Sequence, residues 1–132
     1  MIAKGCTGQN PNERELFHGT KGDATDSILE NGFDDRNYAK GNWGHGAYFA
    51  DNPVVSHFYT SRDPIDQTRI MYYNKVLLGN EHILQEINRE LDSAPKGYHS
   101  THGKYPGNPM SDEYVVYRYA QALPYLKITY KG

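Results

Sequence analysis

Gly46-Ala47-Tyr48-Phe49-Ala50, followed at once by Asp51-Asn52-Pro53, is a strand that turns into a helix. Alternation sends Tyr48 to the face opposite Ala47 and Phe49, so one face can pack a core while the other looks into a cleft. Asn52 is suited to cap the helix that follows, and Pro53 fits its first position, where no backbone donor is needed. On that helix Ser56 and Tyr59 lie three apart and share a face. Upstream, Glu15 to Phe17 read as a short strand entering His18-Gly19. Asp23 then caps a helix through Glu30 that buries Ala24, Ile28 and Leu29, and Asn31-Gly32 stops it. Asp34 to Gly46 has no period and reads as a loop.

Downstream, Arg69 to Leu78 is the longest strand candidate, closed by Gly79, and its strong β-propensity suits a central strand. Ile83, Leu84, Ile87 and Leu91 recur at helical spacing, which predicts a helix over 81–91. Ser93 to Ser111, loaded with Pro and Gly, reads as a long loop, and loops of that length are commonly functional. Tyr114 to Tyr119 and Tyr125 to Tyr130 are expected as final strands. Short strands mixed with a few helices, without regular alternation, indicate an α+β fold with mainly antiparallel sheets.

The chain of 132 residues suits one domain, with 1–11 as a polar N-terminal tail. A net charge of −2 and scattered Lys and Arg give no basic footprint for nucleic acid. No apolar run reaches a membrane span, and Cys6 is the single cysteine, which leaves no disulfide or cysteine-cluster metal site. These features lead to the expectation of a reducing compartment, cytoplasmic or nuclear. The 12 tyrosines favour half-buried sheets and clefts, because a buried phenol needs a partner.

Three segments each carry one conspicuous polar group: Leu16-Phe17-His18-Gly19-Thr20, the Tyr48 strand, and Asp112-Glu113-Tyr114-Val115-Val116-Tyr117. Singly each is ordinary. A His at a strand end is more often a surface residue, a strand Tyr more often core, a carboxylate at a strand mouth more often solvated. Ser56 beside Tyr59 pairs a hydroxyl with an aromatic plate, which suits a flat ring bearing a carboxamide. Jointly, an imidazole, a phenol and a carboxylate suit gripping a sugar hydroxyl, stacking on a flat cationic ring and stabilising charge at a sugar carbon.

In order and local context these segments resemble the His-Tyr-Glu signature of the poly(ADP-ribose) polymerase family of ADP-ribosyltransferases, with the tankyrase branch closest in wording. The resemblance runs from about residue 12 to the C-terminus and includes Ala94-Pro95-Lys96-Gly97-Tyr98-His99-Ser100. It implies the ADP-ribosyltransferase fold, two mainly antiparallel sheets around an NAD-binding cleft, with NAD⁺ as substrate, no true cofactor and no metal. By the resemblance, Gly19 and Ser56 bind the nicotinamide carboxamide, and Tyr48 and Tyr59 enclose its ring. His18 holds the adenosine ribose with Thr20 near it, and Asn37 or Tyr38 touches the adenine end. Glu113 holds the nicotinamide ribose and drives cleavage. The acceptor is expected to be a protein, the chain itself included. Two other readings are a catalytically silent module binding NAD⁺ or ADP-ribose, and a small toxin-type or antibiotic-modifying transferase.

The chain also departs from the family. Family domains carry a strand and helix before the His-Gly segment, where this chain has a short polar lead, so a minimal catalytic domain or a fragment is expected. The helical regulatory domain of the DNA-dependent members has no counterpart, nor does the tankyrase zinc loop between Ser61 and Arg69. Gly41, Gly44 and Gly46 precede a strand and do not form a dinucleotide fingerprint. His99 and His102 read as part of a polar loop, and Cys6 has no evident partner for nucleophilic chemistry.

Overall fold

The computed structural model describes residues 12–20, 28, 30–33 and 38–132, apart from the side chain of Pro109. Among the described residues, the elements whose bounds are complete follow in order: β1 (Glu13–Thr20), β2 (Ala39–Gly41), β3 (Gly44–Phe49), α1 (Pro53–His57), β4 (Thr68–Leu77), β5 (Glu81–Leu84), β6 (Ser100–Tyr105), β7 (Asn108–Val116) and β8 (Ala122–Lys131). They form a three-stranded sheet, β1-β4-β8, and a five-stranded sheet, β2-β3-β7-β6-β5. Every pairing is antiparallel except β5 with β6. The α+β architecture with two mainly antiparallel sheets is the expected one, and β4 is the central strand of its sheet.

The two sheets are stitched where β1 meets the end of β3. Phe17 and Ala50 exchange backbone hydrogen bonds of 2.8 and 3.0 Å. Below this bridge Leu16, Phe33, Phe49, Tyr72, Val76 and Val116 are fully buried in one cluster. A side chain the size of Phe49 contributes about 1.5–3 kcal/mol on such burial. Strand alternation sends Tyr48 and Val115 the other way, into a second cluster around Trp43. The alternation expected of β3 therefore holds, and the second face is the one that carries the site.

The Asn52 cap is as the sequence implied: its Oδ1 accepts from the Val54 N–H at 3.0 Å, with Pro53 at the first turn. Ile28, Glu30 and Asn31 are helical, and Gly32 at φ 74° accommodates the stop while donating to the Ile28 carbonyl. Asp23, Ala24 and Leu29 lie outside the described residues. Elsewhere the structure corrects the reading. The segment read as a helix over 81–91 begins as β5 and continues as turns, leaving Ile83 and Ile87 about half exposed. Its helical spacing loses to sheet pairing, because β5 finds β6 beside it, and Leu91 and Asn88 are tied by backbone bonds to His45 and Asn42. The loop expected over 93–111 contains β6 and the first part of β7, joined through Pro106-Gly107 with Gly107 at φ 81°. The loop expected over 34–46 holds β2 and the start of β3, a hairpin turning at Asn42-Trp43. His102, read as part of a polar loop, sits on β6.

Candidate active site

His18 lies within β1, not beyond its end, because β1 continues to Thr20 in register with β4. The sheet-joining bridge at Phe17 brings it to β3, where its Nδ1 lies 2.7 Å from the Tyr48 carbonyl. A carbonyl can only accept, so Nδ1 carries the proton and Nε2 is left as an acceptor. Burial, working against that one backbone bond, pushes the imidazole down to about 4, so the ring is neutral at physiological pH. Phe33 and Phe49 flank it at 4.8 and 5.4 Å between centroids. The next residue, Gly19, has no room for a side chain: a Cβ would stand 1.8 Å from the Ser56 carbonyl oxygen. Glycine is what lets the end of β1 meet α1, and it sets Gly19 against the buried Ser56.

Tyr48 is buried and its hydroxyl is fully used. It donates to the Gly44 carbonyl at 2.6 Å and accepts from the Trp43 N–H at 2.9 Å, which pins the β2–β3 turn. Burial raises its phenol well above the usual range. Tyr59, one turn beyond Ser56, places its ring 6.2 Å from that of Tyr48 at an interplanar angle of 35°. Its hydroxyl donates to Glu113 Oε2 at 2.5 Å. Burial, then the charge of Glu113, raises this phenol too. Glu113 stands inside β7, not at its mouth, and is itself buried.

His18, Tyr48 and Glu113 thus come from β1, β3 and β7, three strands distant in sequence, and the two sheets converge on them. The chain matches the poly(ADP-ribose) polymerase catalytic domain over residues 4–125. The chain belongs to this family. It is 31% identical to human protein mono-ADP-ribosyltransferase PARP12 over 127 residues, 93% of this chain and 18% of that relative. It is 33% identical to mouse protein mono-ADP-ribosyltransferase PARP4 over 121 residues, 81% of this chain and 6% of that relative. Human protein mono-ADP-ribosyltransferase PARP14 is 41% identical over 76 residues, 54% of this chain and 4% of that relative. The chain therefore spans less than a fifth of the length of these relatives.

In this poly(ADP-ribose) polymerase catalytic domain a cleft of about 520 Å³ opens beside Glu113, walled by Val54, Phe58 and Tyr59 on one side and Tyr105 and Met110 on the other. Glu113 receives two more donors that the sequence did not flag. Tyr105 Oη lies 3.1 Å and Trp43 Nε1 3.3 Å from its Oε1. Gly103 stands opposite Glu113 in the β6–β7 register, and the Trp43 indole covers it so closely that a Cβ would lie 2.0 Å from Cε2. Neither Trp43 nor Tyr105 belongs to a recognisable motif. The one available signal was Pro106-Gly107, which marks a hairpin turn and would have placed Tyr105 on a strand beside Glu113.

Thr20 is buried at the end of β1. Tyr38 packs against the main core and edge-on to His45 at 5.6 Å. Asn37 lies outside the described residues. The structure therefore joins Tyr48, Tyr59 and Glu113 by contact and ties His18 to Tyr48 and Gly19 to Ser56.

Proposed function

We propose that this domain cleaves the nicotinamide–ribose bond of NAD⁺ and transfers ADP-ribose to a protein acceptor, one unit at a time. The observation that carries the reading is Glu113: a buried carboxylate at a cleft, bounded by two tyrosine rings, with every described contact to it coming from a donor. When the C1′–N bond breaks, its electron pair goes to nicotinamide, which leaves neutral, and positive charge spreads over the ribose ring. A fixed carboxylate in a site that excludes water stabilises that charge far more than it would in solvent.

His18 Nε2 is the acceptor for an adenosine ribose hydroxyl. Gly19 and Ser56, packed against each other where β1 meets α1, hold the carboxamide and so orient the leaving group. A flat ring sandwiched between two others needs about 7 Å between their planes, at 3.5 Å per contact. The Tyr48 and Tyr59 centroids are only 6.2 Å apart and the rings are tilted by 35°, which leaves no parallel slot, so ring entry turns Tyr59, draws its hydroxyl from Oε2, and leaves that oxygen to take the ribose 2′-hydroxyl. The acceptor nucleophile then attacks C1′ and releases its proton towards Glu113. The similar proteins named mono-ADP-ribosyltransferases support transfer of a single unit.

The test is incubation of the purified domain with NAD⁺ labelled in its adenylate moiety, following free nicotinamide and label on protein. The expected result is a single labelled band and a fall in turnover of roughly 100- to 1000-fold in Glu113→Ala, with NAD⁺ binding largely kept. Tight NAD⁺ binding without turnover would replace this reading with a binding module.

A further inference from the structure

We infer that Tyr105 is a positioning residue for Glu113, holding Oε1 in place so that Oε2 alone exchanges partners during turnover. The inference rests on the reading of Glu113 as the reacting carboxylate. Tyr105 comes from β6 and its hydroxyl has two fixed partners: it donates to Glu113 Oε1 at 3.1 Å and accepts from Asn42 Nδ2 at 2.6 Å. Asn42 Oδ1 in turn accepts from Arg89 Nη2 at 2.9 Å. A cation therefore polarises a chain of amide and phenol that ends on the carboxylate, and hydrogen bonds in series strengthen one another. The Tyr105 ring packs edge-on to Trp43 at 5.5 Å, and Trp43 supplies the second donor to the same oxygen. Burial and the neighbouring carboxylate raise the Tyr105 phenol, so it stays a donor through neutral pH.

The two oxygens of Glu113 are thereby unequal. Oε1 is tied to β6 and to the β2–β3 turn, both set in the five-stranded sheet. Oε2 has, among the described residues, only Tyr59, which lies just beyond the five-residue α1. A glutamate side chain has three rotatable bonds, and without a fixed Oε1 it would leave the line to the ribose once Tyr59 let go. Displacement of a reacting group by about 1 Å costs up to about 100-fold in rate.

The experiment compares wild type with Tyr105→Phe, which removes one oxygen and keeps the ring. Nicotinamide release is measured against NAD⁺ concentration, and the indole N–H resonance of Trp43, the single tryptophan, is followed by NMR. The expected result is kcat lower by about 10- to 100-fold with KM for NAD⁺ within about threefold, because the donor's own contacts are untouched. The indole signal should move, as Trp43 becomes the only donor to Oε1, and it should move also in Glu113→Gln. Unchanged kcat in Tyr105→Phe overturns the inference, as does an equal loss in KM and thermal stability, which marks a merely structural tyrosine. If wild type releases no nicotinamide, the function reading fails by itself. The indole signal then decides the contact: a shift in Tyr105→Phe supports Tyr105 as the residue holding Glu113, and no shift overturns it.

Discussion

Replacing His102 by glutamine should lower the thermal midpoint by about 10 °C at pH 6, and the reason lies on the face of β7 opposite the cleft. His102 Nδ1 is 2.9 Å from Glu81 Oε1 and its Nε2 is 2.8 Å from Asp112 Oδ2, so both ring nitrogens donate and the ring is an imidazolium. The group ties β5, β6 and β7 together immediately beside Glu113, and Asn12 adds a 2.7 Å bond to Glu81. Tyr114 stacks on the ring at 4.3 Å. Desolvation opposes the charged ring, but the bonds and charges of Glu81 and Asp112 prevail, and the imidazole is raised. Removing one partner of a buried ion pair costs about 3–5 kcal/mol. The lower end applies, because Glu81 keeps partial solvent access at 21%. For 132 residues about 3 kcal/mol corresponds to roughly 10 °C.

The pH dependence fixes the sign. A raised histidine contributes stability that is full below its unfolded value near 6.5 and is lost as pH climbs through the folded value. The lowered Glu81 carboxylate contributes above its unfolded value near 4.5, and that contribution is lost as pH falls through its folded value. His18, pushed down to about 4, favours folding above 6.5 and loses its contribution as pH falls towards 4. Comparing variant with wild type at one pH cancels the His18 contribution. Calorimetry at pH 6 and pH 9 should therefore show a wide gap between the two proteins at pH 6 and a narrower one at pH 9. A His102→Gln midpoint within 2 °C of wild type at pH 6, on the same approximate scale, would refute the argument.

Two further expectations concern the cleft. Gly19→Ala would set a Cβ 1.8 Å from a backbone oxygen that no rotamer change can move, so NAD⁺ binding by calorimetry should be lost together with several degrees of thermal midpoint. Retained affinity would mean that α1 shifts freely. Tyr48→Phe strips the Trp43 N–H and the Gly44 carbonyl of their hydroxyl partner in a buried turn, a loss of about 1–3 kcal/mol. Trp43 fluorescence should shift with it, and an unshifted spectrum would show that Tyr48 does not hold the turn.

Much of the scaffold around the site was legible because its signals are local. The Asn52-Pro53 helix start, the Gly32 stop and the alternation of β3 each depend on the backbone preferences of a few adjacent residues. What failed was also local in appearance. Ile83, Leu84, Ile87 and Leu91 carry a helical period, yet the neighbouring β6 edge and the backbone ties to Asn42 and His45 outweigh it. Ser93 to Ser111 looked like loop because Gly and Pro dominate it, although Pro106-Gly107 makes the hairpin that carries Tyr105 to Glu113. His102, read as part of a loop, became the centre of an ion triad only once β5 and β7 flanked it.

By itself the sequence determined the fold class and the family, and it proposed His18, Tyr48 and Glu113 as a set, because such information sits in short strings of side chains and their order. Only the tertiary structure decided which donors close on Glu113, which oxygen each one takes, and that His18 is neutral with Nε2 free to accept. Those depend on strands far apart in the chain meeting at distances near 3 Å, and on the burial that meeting produces. Neither quantity is a property of any one segment.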